Sequence, residues 1–165
     1  MGLLALSICK GKISVDFDFA HFCGVLVDAM PDAVIYADAQ GVIRFWNGGA
    51  ERIFGFARTE ASGQSLDIII PEVLRQRHWD GFNETVRTGK SRYGTGDLLS
   101  VPAIRKDGTR ISVEFTILPF RDEAGRIIGI AAVLRDVTKR FEEVRALRKQ
   151  LSAIRESGGI PEWNA

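Results

Sequence analysis

Alternating apolar and polar residues dominate the second half of the chain. From Ile111 to Ile117 the two types alternate at every position, which is the period of a half-buried β-strand. The Asp107-Gly108 dipeptide separates this strand from an earlier apolar run and predicts a hairpin turn. A third run, IIGIAAVLRDVT, is almost continuously apolar. Such a run is typical of a central strand that is covered on both faces, or on one face by a partner.

The first half contains a shorter strand pair followed by helices. The segment AVIYADAQGVIRFWN has two β-rich runs around a turn at residues 39–41, so we predict a hairpin formed by residues 33–38 and 42–46. Asn47 is placed to cap a short helix, and residues 57–70 combine turns with a short helical piece. The segment PEVLRQRHWDGFNETVRTG at 71–89 then predicts a longer helix, with Pro71 at its first position.

One face of the 71–89 helix carries a histidine within an apolar stripe. Leu74, His78, Phe82 and Val86 recur every four residues and therefore lie on one side of the helix. Gly81 follows on the same side, although glycine costs about 1 kcal/mol relative to alanine in a helix interior. We therefore expect that a neighbouring strand or a flat ligand approaches the backbone closely at Gly81.

The order of these elements predicts an α+β fold. Its centre would be one five-stranded antiparallel sheet, with the helices covering one face. We divide the chain into an N-terminal extension (1–16), a cap helix (17–30), a main domain (31–138), a C-terminal helix (139–156) and a tail (157–165). The C-terminal helix is amphipathic, and its narrow apolar seam at 141–154 resembles a short coiled coil.

The composition indicates a soluble protein without a strong overall electrostatic field. The 165 residues include 45% hydrophobic and 26% charged residues, and the formal net charge is +1, so we expect neither nucleic acid nor an anionic membrane as a partner. The two cysteines form neither a metal motif nor a disulfide framework, which favours a reducing, cytoplasmic setting. Because the sequence has no phosphate loop, nucleophile elbow or kinase signature, we expect that the chain is not an enzyme.

Several separate motifs resemble the PAS family of sensory domains. They are PDAVIYADAQGVIRFWNGGAERIFGF, the hairpin KDGTRISVEFTILPF, and GIAAVLRDVTKR, whose Asp136-Val137-Thr138 is similar to the family's exit into a signalling helix. The resemblance spans about residues 25–140. It implies a five-stranded sheet with helices enclosing a pocket, and roles in ligand sensing, dimerisation and relay to an effector or kinase partner. The reactive cysteine of the LOV photoreceptors is missing from residues 63–66, which excludes that subclass.

A narrower resemblance concerns the segment IIIPEVLRQRHWDGF. It is similar to the haem-binding PAS domains of bacterial oxygen-sensing histidine kinases. The resemblance implies b-type haem with His78 as the iron ligand, and a propionate partner in Arg92. The remaining residues of the implied pocket come from the same helix and from the sheet: Leu74, Gly81, Phe82, Leu98, Leu99, Phe115, Ile130 and Ala132.

Two positions depart from the oxygen sensors. Leu99, next to Leu98, stands where those proteins have an arginine that binds oxygen, and Glu84 stands where they have an arginine near the propionates. An apolar wall formed by Leu98 and Leu99 cannot stabilise the polar Fe–O2 unit of a haem that has bound oxygen. Carbon monoxide, nitric oxide or redox state are therefore better candidates for the signal.

Other interpretations stay open. His78 could be a buried histidine of the core, and Trp46, Trp79 and Phe82 favour core packing over stacking on a flavin. Asn47 is first a helix cap and second a ligand contact. The module could bind FAD, FMN or a small organic ligand, or it could be a cofactor-free homodimer formed through the N-terminal cap and the C-terminal helix. The chain is either a complete sensor or a fragment of a larger one.

Overall fold

The computed structural model describes residues 8–9, 12–13, 17–89 and 98–156. Near the N-terminus two short strands, β1 (Ile8–Cys9) and β2 (Lys12–Ile13), pair in antiparallel fashion. They lie within the extension, where the sequence has no clear period.

The described residues also form a five-stranded antiparallel sheet. Its strands are β3 (Ala33–Asp38), β4 (Ile43–Trp46), β5 (Leu99–Ile104), β6 (Arg110–Arg121) and β7 (Ile127–Asp136). Their spatial order is β4-β3-β7-β6-β5, and all neighbouring pairs are antiparallel. The predicted α+β class and both hairpins are confirmed, and the most apolar strand is the central one.

The helices of the described chain cluster mainly between β4 and β5. They are α1 (Phe19–Ala29), α2 (Gly48–Phe54), α3 (Arg58–Ala61), α4 (Glu72–Thr88) and α5 (Thr138–Glu156), with a 3-10 turn at Leu66–Ile68. Helices α2 and α3 pack on one face of the sheet and enclose the main core. Its buried members include Ala33, Ile35, Trp46, Phe54, Ala61, Ile69, Ile111, Val113 and Leu134.

Helix α1 is present but exposed. Asp18 accepts a hydrogen bond from the backbone N–H of His21 (2.9 Å) and so begins the helix. None of the α1 residues is buried, and Phe19 and Phe22 are 68% and 46% exposed. Polar contacts hold α1 to α2, among them the hydrogen bond from Arg52 to the carbonyl of Met30 (2.8 Å). The expected amphipathic cap therefore leaves its apolar side uncovered in a single chain.

Helix α5 leaves the sheet through a network around one carboxylate. Asp136 accepts hydrogen bonds from the backbone and the hydroxyl of Thr138 (2.9 and 2.6 Å) and from Arg105 (2.6 Å). The Thr138 hydroxyl in turn accepts from the backbone N–H of Ser112 (2.9 Å). Burial alone would raise the pKa of Asp136, but the hydrogen bonds from Thr138 and Arg105 lower it below its ordinary value. This network fixes the direction in which α5 begins.

We predict that Asp136→Asn destabilises the protein by about 1–3 kcal/mol at neutral pH, because the neutral amide accepts these hydrogen bonds more weakly. The folded-state pKa of Asp136 is lowered, so its stabilisation is complete above the unfolded pKa and is lost as the pH falls through the folded pKa. Urea unfolding at several pH values should show this acid-side loss in the wild type and a smaller one in the variant.

Asp122→Asn is the matched control, because Asp122 and Asp136 have equally exposed side chains (24%) and each forms an ion pair with an arginine. Hydrogen exchange in the first turn of α5 should accelerate in Asp136→Asn and not in Asp122→Asn. Equal exchange in both variants would contradict a specific role at the junction.

Candidate functional site

Helix α4 carries His78, the candidate metal ligand, and is fixed at its C-terminal end. It begins at Glu72, so Pro71 occupies the cap position and not the predicted first helical one. Gly89 ends the helix in the left-handed conformation (φ 68°). The guanidinium of Arg121 donates hydrogen bonds to the carbonyls of Gly89 (2.7 Å) and Gly125 (2.9 Å). This arginine ties the end of α4 to the turn between β6 and β7.

The stripe formed by Leu74, His78, Phe82 and Val86 faces the sheet. Its C-terminal end packs against the sheet more closely than its N-terminal end. Phe82 is 8% exposed and forms a second, smaller core with Ile127 and Ile130 of β7, against which Val86 also packs. Leu74, at the N-terminal end of the stripe, is half-buried. The helix is thus closed onto the sheet near Phe82 and more open toward Leu74.

His78 lies within this stripe and is half-buried. Its ring contacts Trp79 edge-on (4.9 Å between centroids) and Phe82 (5.9 Å). Its Nδ1 atom is buried and has no hydrogen-bond partner in the described part of the chain. Burial lowers the pKa of His78, and the charge of Asp67 opposes that shift. The ring is therefore held by packing, and it stays neutral to lower pH than an ordinary histidine.

A neutral imidazole is the form of histidine that binds metals. Among the described residues, no group of three or more His, Cys, Asp and Glu side chains could hold a metal ion. His78 could accordingly serve as a single axial ligand to a metal that a cofactor carries, but not as part of a protein-only metal site.

Trp79 connects α4 to the 3-10 turn at Leu66–Ile68 through one contact and to the β3–β4 turn through another. Its indole N–H donates to the carboxylate of Asp67 (2.8 Å). Its ring covers Gly41, where an added Cβ atom would lie 2.2 Å from the indole. From the sequence we predicted packing for Trp79 and no role for Asp67. The turn glycine was the available signal, since a glycine can mark close approach of a side chain.

The structure overturns one expectation about Gly81. Among the described residues, no heavy atom outside the helix lies within 4 Å of the position that a Cβ atom on Gly81 would take, so no described strand approaches the backbone there. The backbone carbonyl of Gly81 accepts a hydrogen bond from the Thr85 hydroxyl (2.9 Å). Among the described residues, the side of α4 that carries His78 therefore has open space at Gly81.

The sheet face that carries the core presents an apolar wall. Cross-strand register places Leu99 beside Phe115 and Ala132 beside Ile117. Ile130 lies on the same face of β7 and contacts Phe82, whereas Phe115 and Ala132 pack against the main core. Leu98 differs from this arrangement, because it precedes β5 and is 61% exposed. Arg92 lies outside the described residues.

Asn47 and Trp46 are fully engaged within the fold. The carbonyl oxygen of Asn47 accepts from the backbone N–H groups of Val34 and Ala50 (2.8 Å each), and its amide donates to two backbone carbonyls. Trp46 is fully buried, and its indole donates to the carbonyl of Phe56 (3.1 Å). A role for Asn47 as a helix cap and a role for Trp46 in core packing account for all these contacts.

Comparison with known proteins gives consistent matches. The model of the PAS fold matches residues 27–142. The sensor protein FixL of Bradyrhizobium diazoefficiens is 35% identical over 129 residues, which are 78% of this chain and 25% of that protein. The oxygen sensor protein DosP of Escherichia coli is 28% identical over 133 residues, 81% of this chain and 16% of that protein. The chain thus spans a quarter or less of these relatives.

A solved structure agrees with the fold. The PAS domain of a Colwellia psychrerythraea protein superposes with a TM-score of 0.65 at 23% identity, and the match covers 74% of this chain and 99% of that one. No helix in the described part of the chain has the length and apolar character that crossing a membrane requires.

We predict opposite effects for alanine at two glycines. Gly81→Ala should stabilise the protein by about 0.5–1 kcal/mol, because the new methyl group enters open space and improves helix propensity. Gly41→Ala should destabilise it by at least about 1 kcal/mol, because it collides with Trp79 and strains a residue at φ 76°. Denaturant unfolding measures both. Gly24→Ala in α1, where no described neighbour lies within 4 Å either, controls for propensity alone. A destabilised Gly81→Ala would show that the space is not open.

Proposed function

This chain belongs to the PAS family, and we propose that it is a sensory module that binds b-type haem through His78. The observation that supports the proposal is the state of His78: an inward, neutral, packed imidazole beside open space at Gly81. The resemblance of residues 68–82 to haem-binding PAS domains points the same way. One relative is named as an oxygen sensor.

The residues near His78 fit the group. His78 would supply a nitrogen ligand to the iron, Leu74 and Phe82 would flank it on α4, and Gly81 would leave room for a flat ring. When bound, haem would supply an iron that can bind a diatomic gas or change redox state. The chain's own residues then orient the ring and exclude water with apolar side chains. Arg92 remains our proposed partner for a propionate.

The wall opposite α4 favours ligands that need no hydrogen bond. Leu99, Phe115 and Ile130 are apolar and lie on the sheet face that meets α4. Bound oxygen carries partial negative charge and gains from a donor, whereas carbon monoxide is nearly apolar. We therefore propose carbon monoxide, nitric oxide or redox state as the signal. The C-terminal helix α5 would relay it to a kinase or other effector partner.

A second candidate function is a homodimer formed through α1 and α5. No residue of α1 is buried, and neither is any of residues 138–154 of α5. The seam of α5 is exposed at every position, namely Phe141, Val144, Leu147, Leu151 and Ile154. An 11-residue helix such as α1 is marginal without packing, and a second copy would cover both apolar faces about a two-fold axis.

Hemin titration followed by absorption spectroscopy tests the first proposal. We expect a sharp Soret band that shifts with dithionite and again with carbon monoxide. His78→Ala should abolish haem retention, and Gly81→Phe should block it by filling the open space. The matched controls are His21→Ala and Gly24→Phe, because both residues are exposed on α1. An unchanged haem spectrum in His78→Ala would contradict the assignment of His78 as the iron ligand. Loose hemin binding in the wild type would favour a colourless ligand, a flavin or no ligand.

Sedimentation equilibrium tests the homodimer. Leu147 is 58% exposed, and Leu147→Glu should weaken dimerisation about 10- to 100-fold, because it removes about 1.5–3 kcal/mol of apolar burial. Ser152→Glu adds the same charge at an exposed residue outside the seam and should change the dissociation constant little. If both variants, or a chain truncated at about residue 138, associate like the wild type, the seam is not the interface.

A further inference from the structure

The apolar seam of α5 is flanked by residues of opposite charge. Most of the seam follows the a and d positions of a heptad repeat, namely Val144, Leu147, Leu151 and Ile154. In this repeat Glu143 stands at position g and Arg148 at position e, one on each side of the seam. Both residues are exposed. The seam therefore has one acidic flank and one basic flank.

Neither charge of these flanks is firmly bound within its own chain. The Nζ atom of Lys139 lies 4.0 Å from Glu143, beyond the roughly 2.7–2.9 Å of a strong charge-assisted hydrogen bond. The side chain of Lys139 is also 91% exposed, and such a surface pair contributes little to stability. Arg148 forms no ion pair with any residue in the described part of the chain. Both charges are accordingly available to a partner helix.

Helix α1 ends and helix α5 begins at the same end of two paired strands. Ala33 of β3 pairs with Leu134 of β7, and Arg135 binds Asp32 at 2.7 Å. A parallel pair of α5 helices would bring both of these junctions, and with them both α1 helices, to one end of the pair. An antiparallel pair would separate the two junctions by the length of α5, about 28 Å. A parallel pair therefore suits an interface that uses α1 and α5 together.

We propose that the two α5 helices of a homodimer pair in parallel and in register, with Glu143 of each copy bound to Arg148 of the other. The inference rests on the homodimer proposed above, and it adds the orientation and the register. In a parallel two-stranded coiled coil, the residue at g meets the residue at e of the partner's next heptad, so both pairs would unite opposite charges. In an antiparallel pair e meets e, and Arg148 would lie against Arg148 of the second copy. The charges thus select the orientation, while the seam supplies the affinity.

Charge exchange tests the ion pair, with the dissociation constant measured by sedimentation equilibrium at low salt. Glu143→Lys and Arg148→Glu each bring like charges together and should weaken dimerisation about 5- to 30-fold. An equimolar mixture of the two variants should associate like the wild type, because each pair then unites opposite charges again. The double variant should do the same. High salt should reduce all these differences.

The matched controls are Glu142→Lys and Lys149→Glu. They make the same changes of charge one residue away, at exposed f positions that point away from the partner. Both should change the dissociation constant little, and their mixture should associate no better than either alone. If the controls weaken dimerisation as much as the variants of Glu143 and Arg148, the effect is one of general charge and the proposed ion pair is wrong.

Disulfide cross-linking tests the orientation, in a chain that carries Cys9→Ser and Cys23→Ser in place of its two native cysteines. In a parallel pair, Val144→Cys should cross-link with itself under mild oxidation, and so should Ile154→Cys. In an antiparallel pair opposite ends of the seam meet, so these variants would cross-link only when they are mixed.

The outcomes separate this inference from the homodimer on which it rests. A wild type that stays monomeric at every concentration would refute the homodimer, and the inference with it. A dimer with antiparallel cross-links, or a dimer that Glu143→Lys and Arg148→Glu leave unchanged, would uphold the homodimer and refute the inference.

Discussion

Four hydrogen bonds to the side chain of Asn47 hold the layers of this domain together. The amide donates to the carbonyls of Val27 and Asp32, and its oxygen accepts from the backbone of Val34 and Ala50. One residue thus joins the end of α1, strand β3 and the start of α2. Each buried polar group left without a partner would lower the free energy of unfolding by about 1–3 kcal/mol. The relative positions of these elements therefore depend on one another.

Helix α4 is attached in a different way, at two separated places. Near its middle, Trp79 meets Asp67 and Gly41, and at its end Arg121 binds the carbonyl of Gly89. Between them Phe82 packs on β7, while the neighbourhood of Gly81 is open. A helix fixed in this way can pack on the sheet at Phe82 and still leave open space beside Gly81 among the described residues. Its attachments, and not the apolar stripe alone, give the candidate site its shape.

Local pattern predicts the fold well, because each strand and turn is encoded within a few residues. The alternation in β6, the apolar run of β7 and the Asp107-Gly108 turn all correspond to the observed sheet. The period of α4 also places His78 inward. Exposure of α1 is less predictable, because an amphipathic pattern shows which side is apolar and not what covers it.

The site chemistry depends on contacts that are distant in sequence. The bond between Trp79 and Asp67 spans 12 residues, and no periodicity connects the two. We expected a close approach at Gly81, and the prediction of a strand there is wrong; in the described residues a side chain approaches Gly41 instead. Likewise, no sequence pattern shows that the buried Nδ1 of His78 has no hydrogen-bond partner among the described residues.

The junction at Asp136 has a mechanical consequence. Strand β7 is hydrogen-bonded on both sides, and α5 continues from it after a single residue, Val137. A helix of 19 residues is about 28 Å long, so a tilt of about 10° at its base displaces its far end by about 5 Å. The central strand is held on both sides by its neighbours, and α5 extends from it as an arm outside the sheet. Movements too small to disturb the core become large enough, at Glu156, to reposition whatever the helix touches.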